Sequence, residues 1–206
     1  MKTNFLKFSL LALVLFTASC SSDDKDDTIP PVETVKVSNL YAPQAGGQGE
    51  AASGEFTKFS FSENKIVTND NWDVAFRGTT IIVNGGAKIG IDGEPERKGS
   101  AAVSIVSGTL ASVTAFPAAS TFAQDGAKIY AFPTTGTNVW YDYNATTHII
   151  SAKSGRVFVV KTHDGKYAKF EILSYYKDAP ATPELTSASR YFTFNFAYQA
   201  NSTTTF

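Results

Sequence analysis

Leucine is nearly absent from the part of this chain that must build a core. Nine leucines occur in 206 residues, and five of them (Leu6, Leu10, Leu11, Leu13, Leu15) fall within the first sixteen. Only Leu40, Leu110, Leu173 and Leu185 remain for everything beyond, too few to line the apolar stripes of several helices. In their place stand 16 Phe, 9 Tyr and 2 Trp, with many Val, Ile and Thr. These residue types fit a pleated, half-buried surface, so the body is expected to be mostly β, a single domain with few or no helices after the leader.

Charge and cysteine usage narrow the chemistry. Lys plus Arg number 18 against 19 Asp plus Glu, a formal net charge of -1. No long-range positive field gathers phosphates, so no nucleic-acid partner is expected. With one Cys and two His, any metal site or triad must draw on Cys20, His148, His163 and the carboxylates. Zinc fingers, thiol redox centres and thiol proteases are excluded.

The first 34 residues read as an address and a tether. Lys2 and Lys7 precede an apolar run from Phe8 to Phe16, followed by Thr17-Ala18-Ser19-Cys20. That is a charged region, a short hydrophobic region and small residues at a cleavage point, too short to span a bilayer permanently. Cys20 after small residues resembles a bacterial lipobox, although Thr17 stands where Leu or Val is usual. Residues 1–19 are therefore read as a lipoprotein signal peptide, with Cys20 lipidated and holding the chain to an outer-membrane lipid anchor. Residues 20–34 are read as an acidic flexible tether containing Asp23, Asp24, Asp26, Asp27 and the stiff Pro30-Pro31 pair. An acidic cluster after a lipidated Cys resembles the surface-export signal of Bacteroidota lipoproteins, implying an outer-membrane, cell-surface location. Residues 35–206 are expected to form the β domain.

Within that domain, residues 34–42 read as a first strand and Gln44–Gly49 as a loop. Phe59, Phe61, Ile66 and Val67 around Asn64 give hairpin signals. In Asn71–Arg77 the indole of Trp72 is expected in the core, with Asp73 accepting backbone donors at a bend. Gly93–Gly99 reads as a surface loop of mixed charge. The clearest unit is a hairpin of Arg156–Lys161 and Tyr167–Tyr176 across Asp164-Gly165, the strongest short-range hairpin signal. Phe192, Phe194, Phe196 and Tyr198 then fall on one face at period two and read as a core strand.

These pieces resemble a known family. Phe59-Ser60-Phe61-Ser62, Asn71–Phe76, Arg156–Val160 and Asp164–Phe170, behind a lipobox with an acidic follow-on, look like the HmuY family of Bacteroidota lipoproteins over most of residues 56–198. The resemblance implies an antiparallel β body of the HmuY type. It also implies a ligand site between loops and hairpins, haem as the cofactor carried, iron acquisition as the purpose, and a TonB-dependent haem receptor as partner. The founding haemophore grips haem iron with two histidines on opposite faces. Neither transfers here: no His lies between Phe76 and Trp140, and the second position falls near Asn144 or Ala145 rather than His148.

The candidate ligand residues are accordingly His148, Tyr141, Tyr143 and Trp140. His148 reads either as a single axial imidazole beside stacking aromatics or as a half-buried strand or turn histidine bonded to a backbone carbonyl. Tyr141 and Tyr143, on one side of a strand, read either as an oxygen donor to ferric iron or as tyrosines capping the core. His163 reads as a solvated turn residue without a partner. Catalysis has no candidate, since Asp70 with Asp73 and Glu94 with Glu96 fall in a turn and an exposed loop, so the chain is not expected to be an enzyme. The two functions left are haem-type ligand capture for an outer-membrane importer and a non-haem surface interaction or adhesion module on the same fold.

Overall fold

The structure, a computed structural model, describes residues 32–47, 49–201 and 203–206. The expected signal peptide, Cys20 and most of the expected tether lie outside the described residues. Thirteen strands follow: β1 (Thr34–Tyr41), β2 (Ala45–Gly47), β3 (Glu50–Ser53), β4 (Thr57–Ser60), β5 (Lys65–Ile66), β6 (Val74–Arg77), β7 (Thr80–Val83), β8 (Ala102–Ser107), β9 (Tyr141–Asn144), β10 (Ile149–Ala152), β11 (Arg156–Lys161), β12 (Tyr167–Tyr176) and β13 (Ser189–Gln199). Among the described residues the helical content is one 3-10 turn, Ala119–Thr121. The fold is thus mostly β, as leucine scarcity requires. The first strand begins at Thr34, one residue ahead of the expected domain boundary, and the expected loop at Gln44–Gly49 contains the short strand β2.

Five strands form one antiparallel sheet in the order β1-β13-β12-β11-β8, and four form a second in the order β5-β4-β6-β7. β2 with β3 and β9 with β10 are separate hairpins. The β13 aromatics lie on one face as their period demands, and Phe192, Phe194 and Phe196 are buried against the second sheet. Phe59 meets Phe194 edge-on at 5.4 Å, and Phe76 meets Phe192 at 4.9 Å. Aromatic edges and faces, rather than aliphatic branches, therefore fill the space between the sheets.

The second sheet is covered on its other face too. Trp72, Ala75, Ile82 and Ile89 form a separate cluster there, and Trp72 is fully buried. Burial on both faces explains why β6 reads as an unbroken buried run, Val-Ala-Phe-Arg, without alternation.

The Gly93–Gly99 segment is a surface loop only in part: Glu96 and Lys98 are exposed, whereas Glu94 and Arg97 turn inward. The buried Glu94 carboxylate accepts from the backbone N–H groups of Ile89, Gly90 and Ile91 at 3.0, 2.7 and 3.1 Å. Arg97 bridges Glu94 at 3.0 Å and Asp125 at 3.1 Å, and its guanidinium lies over the Trp72 ring at 5.7 Å. Asp125 in turn accepts from Val83 and Ala131 N–H, each at 2.9 Å. Glu94 faces inward because loop donors over an apolar cluster need acceptors that water cannot supply there, and Arg97 follows to pair it.

Candidate functional site

The hairpin of β11 and β12 has the limits its sequence implies, closed by His163-Asp164-Gly165. Thr162 N–H donates to Lys166 O at 2.8 Å and Gly165 N–H to Thr162 O at 3.0 Å, with Gly165 at φ 79°, where a side chain would be strained. His163 is the correction. Its backbone N–H and its ring Nδ1 each lie 2.7 Å from Oδ1 of the fully buried Asp73, whose Oδ2 accepts from Phe61 N–H at 2.7 Å. The hydrogen bond to Asp73 raises the imidazole above its ordinary value, against the opposing effect of burial. His163 is a staple joining the Asp-Gly turn to the second sheet. Its partner lies 90 residues away in sequence, so no local signal could show it.

Of the four ligand candidates, Trp140 is set apart from the others. It is buried, its indole N–H donates to Thr79 O at 2.8 Å, and its ring packs on Phe192 at 5.1 Å and Tyr175 at 5.7 Å. It holds the base of the peripheral hairpin to the core. Tyr141, half-buried, packs beside it at 4.8 Å. Two residues on, at the same face, Tyr143 emerges into solvent, 53% exposed.

The β9–β10 hairpin then bends Tyr143 and His148 together. Asn144 Oδ1 accepts from Thr146 and Thr147 N–H at 2.9 and 3.0 Å, forming the side-chain-capped turn that asparagine favours. His148 follows in a left-handed conformation, φ 57°, and its exposed ring turns back to place Nδ1 2.5 Å from Tyr143 Oη. The expected contact to a backbone carbonyl is replaced by this phenol. Tyr176 of β12 fixes the hairpin from behind, its hydroxyl accepting from Ile150 N–H at 3.0 Å.

Opposite stands the segment between β12 and β13. It is tied at its base by Lys177 N–H to Ala188 O at 2.9 Å and at its tip by Glu184 N–H to Ser187 Oγ at 2.9 Å. Between hairpin and segment lies a groove of about 390 Å³, walled by Tyr143, His148, Tyr176, Glu184 and Leu185. It adjoins a second hollow of about 640 Å³ on the far side of His148, bounded by Thr146, Pro183 and Leu185. Leu185 is 73% exposed, an apolar side chain held open at the rim. Glu184, Leu185 and Tyr176 were not singled out from sequence. The available signal was Leu185, a lone leucine in a Pro- and Ser-rich connection.

A third cavity, of about 400 Å³, borders the Asp-Gly turn at Phe116, Asp164, Tyr167 and Asn201. Its Asp164 already accepts from Thr162 Oγ1 at 2.5 Å and Tyr198 Oη at 3.1 Å. The Tyr143–His148 groove is therefore the better candidate. Among the described residues no group of three or more His, Cys, Asp or Glu could hold a metal ion. The donor set facing the groove is instead one phenol and one imidazole. Because the two atoms are 2.5 Å apart, they cannot occupy opposite axial positions of a macrocycle, and they suit a single-sided contact. Asp70 is paired with Lys98 at 2.8 Å and Glu96 with Lys88 at 2.8 Å, while Asp73 and Glu94 are used inside the fold.

Fold and site together define an antiparallel two-sheet β protein that presents an open, aromatic- and leucine-walled groove on a peripheral hairpin. A family model described as HmuY protein matches residues 53–196, and the chain belongs to the HmuY family. No significant match was found among curated proteins. Several solved structures are similar to it. A Bacteroides fragilis protein named as a lipoprotein shares 14% identity at TM-score 0.48, covering 82% of this chain and 91% of its own. A Bacteroides vulgatus protein named as HmuY-like and heme-binding shares 15% at 0.46, with 82% and 93% covered. The apo HmuY analogue of Tannerella forsythia shares 14% at 0.46, with 85% and 100% covered.

Proposed function

We propose that this protein is a cell-surface lipoprotein of the outer membrane. In this reading it captures haem, or a related planar hydrophobic ligand, and passes it to a TonB-dependent importer. The reading rests on family membership, and the observation that carries it to a place on this chain is the Tyr143–His148 pair facing Leu185 and Tyr176 across the groove. A flat ligand with a metal at its centre needs a donor at the rim and apolar surface to lie on; the groove offers the Tyr143–His148 pair for the first and Ile149 and Leu185 for the second, beside the polar Glu184, Ser187 and Ser189. The role proposed is carriage of the ligand, as the family membership supports.

Haemin titrated into the full-length chain and followed by absorbance tests the reading. One equivalent should bind with a weak-field, high-spin ferric spectrum, because a phenol or one imidazole exerts a weaker field than two imidazoles. An unchanged haemin spectrum would remove haem as the ligand. A low-spin spectrum of two imidazoles would require His163 to leave Asp73 and would overturn the assignment of the groove.

Location is tested at Cys20. A Cys20→Ala variant expressed in the native host should lose its acyl chain and leave the membrane fraction. Continued membrane fractionation with undiminished acylation would exclude the lipid anchor.

A further inference from the structure

Resting on that reading, the geometry points to a division of labour within the pair: we propose that Tyr143 Oη is the atom that bonds the metal, that His148 is its positioning residue, and that the groove therefore selects a ferric rather than a ferrous macrocycle. Three observations lead there.

First, a phenol is the better hydrogen donor and a neutral imidazole nitrogen the better acceptor. The 2.5 Å contact therefore runs from Tyr143 O–H to His148 Nδ1, which leaves the ring proton on Nε2. In that tautomer the one free lone pair of His148, on Nδ1, is engaged by the phenol, while Oη keeps both of its own.

Second, the hairpin builds this arrangement deliberately into a peripheral turn. The Asn144 cap and the left-handed backbone of His148 aim the ring at Tyr143 rather than away into solvent.

Third, both side chains are exposed at the groove, so a metal held at the centre of a flat ligand can reach Oη without unfolding the hairpin. As the metal–oxygen bond forms, the O–H bond breaks and its proton passes along the hydrogen bond to Nδ1. The pair ends as phenolate and imidazolium with its total charge unchanged. A phenolate is a hard anionic donor, matched to trivalent iron and poorly matched to divalent iron.

The test uses the full-length chain with haemin and two variants that spare the fold. His148→Asn keeps a residue that tolerates the left-handed conformation, and Tyr143→Phe removes only an exposed hydroxyl. Tyr143→Phe should abolish the tyrosinate-to-iron vibrations in resonance Raman spectra together with binding. His148→Asn should retain those vibrations and weaken binding on the order of 10- to 100-fold, the usual effect of losing a group that orients a ligand. Chemical reduction of the bound iron should release the ligand from the wild type. If His148→Asn abolishes binding and Tyr143→Phe does not, the imidazole is the donor and this assignment fails while haem capture stands. If neither variant changes affinity or spectrum, the assignment fails with the groove. If the wild type binds no haemin, both the capture reading and this inference fall.

Discussion

The two histidines of this chain stand in opposite situations, and the contrast separates what holds the fold from what it displays. His163 sits in a tight hairpin turn, the usual place for a solvated residue, yet its ring and backbone are both bonded to a carboxylate with no exposure to solvent. His148 also sits in a hairpin turn, but its partner is an exposed phenol five residues away and the pair faces a groove. One turn is pressed against a second sheet and the other projects beyond the core. Whether a polar side chain stabilises or binds follows from that placement rather than from its residue type.

The largest effect expected from this contrast is at Asp73. Asp73→Ala would leave the buried Phe61 N–H without an acceptor and His163 without its partner, costing on the order of 3–5 kcal/mol, the range for breaking a buried pair on one side. Denaturant unfolding measures it, and a loss below about 1 kcal/mol would show that the staple is dispensable.

A smaller effect concerns pH. The bond to Asp73, helped by the charges of Asp164 and Glu63, raises the His163 imidazole in the folded state, so folding favours the protonated ring. That contribution is complete below the ordinary histidine value of about 6.5 and is lost as pH rises through the raised value. The melting temperature should therefore fall across this window in the wild type and lose that component in His163→Ala, whereas His148→Asn should keep it. An identical pH profile in wild type and His163→Ala would erase the distinction between the two histidines.

The smallest effect is expected at the groove itself. Tyr143→Phe and His148→Asn should each change stability by less than about 0.5 kcal/mol, as exposed residues outside the core do. A larger loss in an unfolding titration would make the Tyr143–His148 pair a structural contact and weaken its assignment as a site.

Much of this organisation was legible locally. Period-two alternation placed the β13 aromatics on one face, Asp164-Gly165 marked the β11–β12 turn, and the Trp72-Asp73 dipeptide gave both a core indole and a carboxylate accepting backbone donors. These signals need only a few neighbouring residues, because side-chain alternation and turn geometry are fixed by the backbone itself. The pairing of Tyr143 with His148 is nearly as local, and needed only the register that sets Asn144 opposite Ile149.

By itself, then, the sequence determined a β body, the β11–β12 hairpin, its family resemblance and the short pool of donors available to a ligand. Tertiary structure alone decided which charges turned inward. The Glu94–Arg97–Asp125 cluster and the Asp73–His163 staple join residues whose partners are distant or whose loop reads as solvated, and nothing in a local window carries that information. It also decided that Trp140 is a core anchor and that Leu185 closes a groove with Tyr143. The physical reason is common to all of these. Burial is a property of what packs across from a residue, and a polar side chain takes its role from whether water or another part of the chain satisfies it.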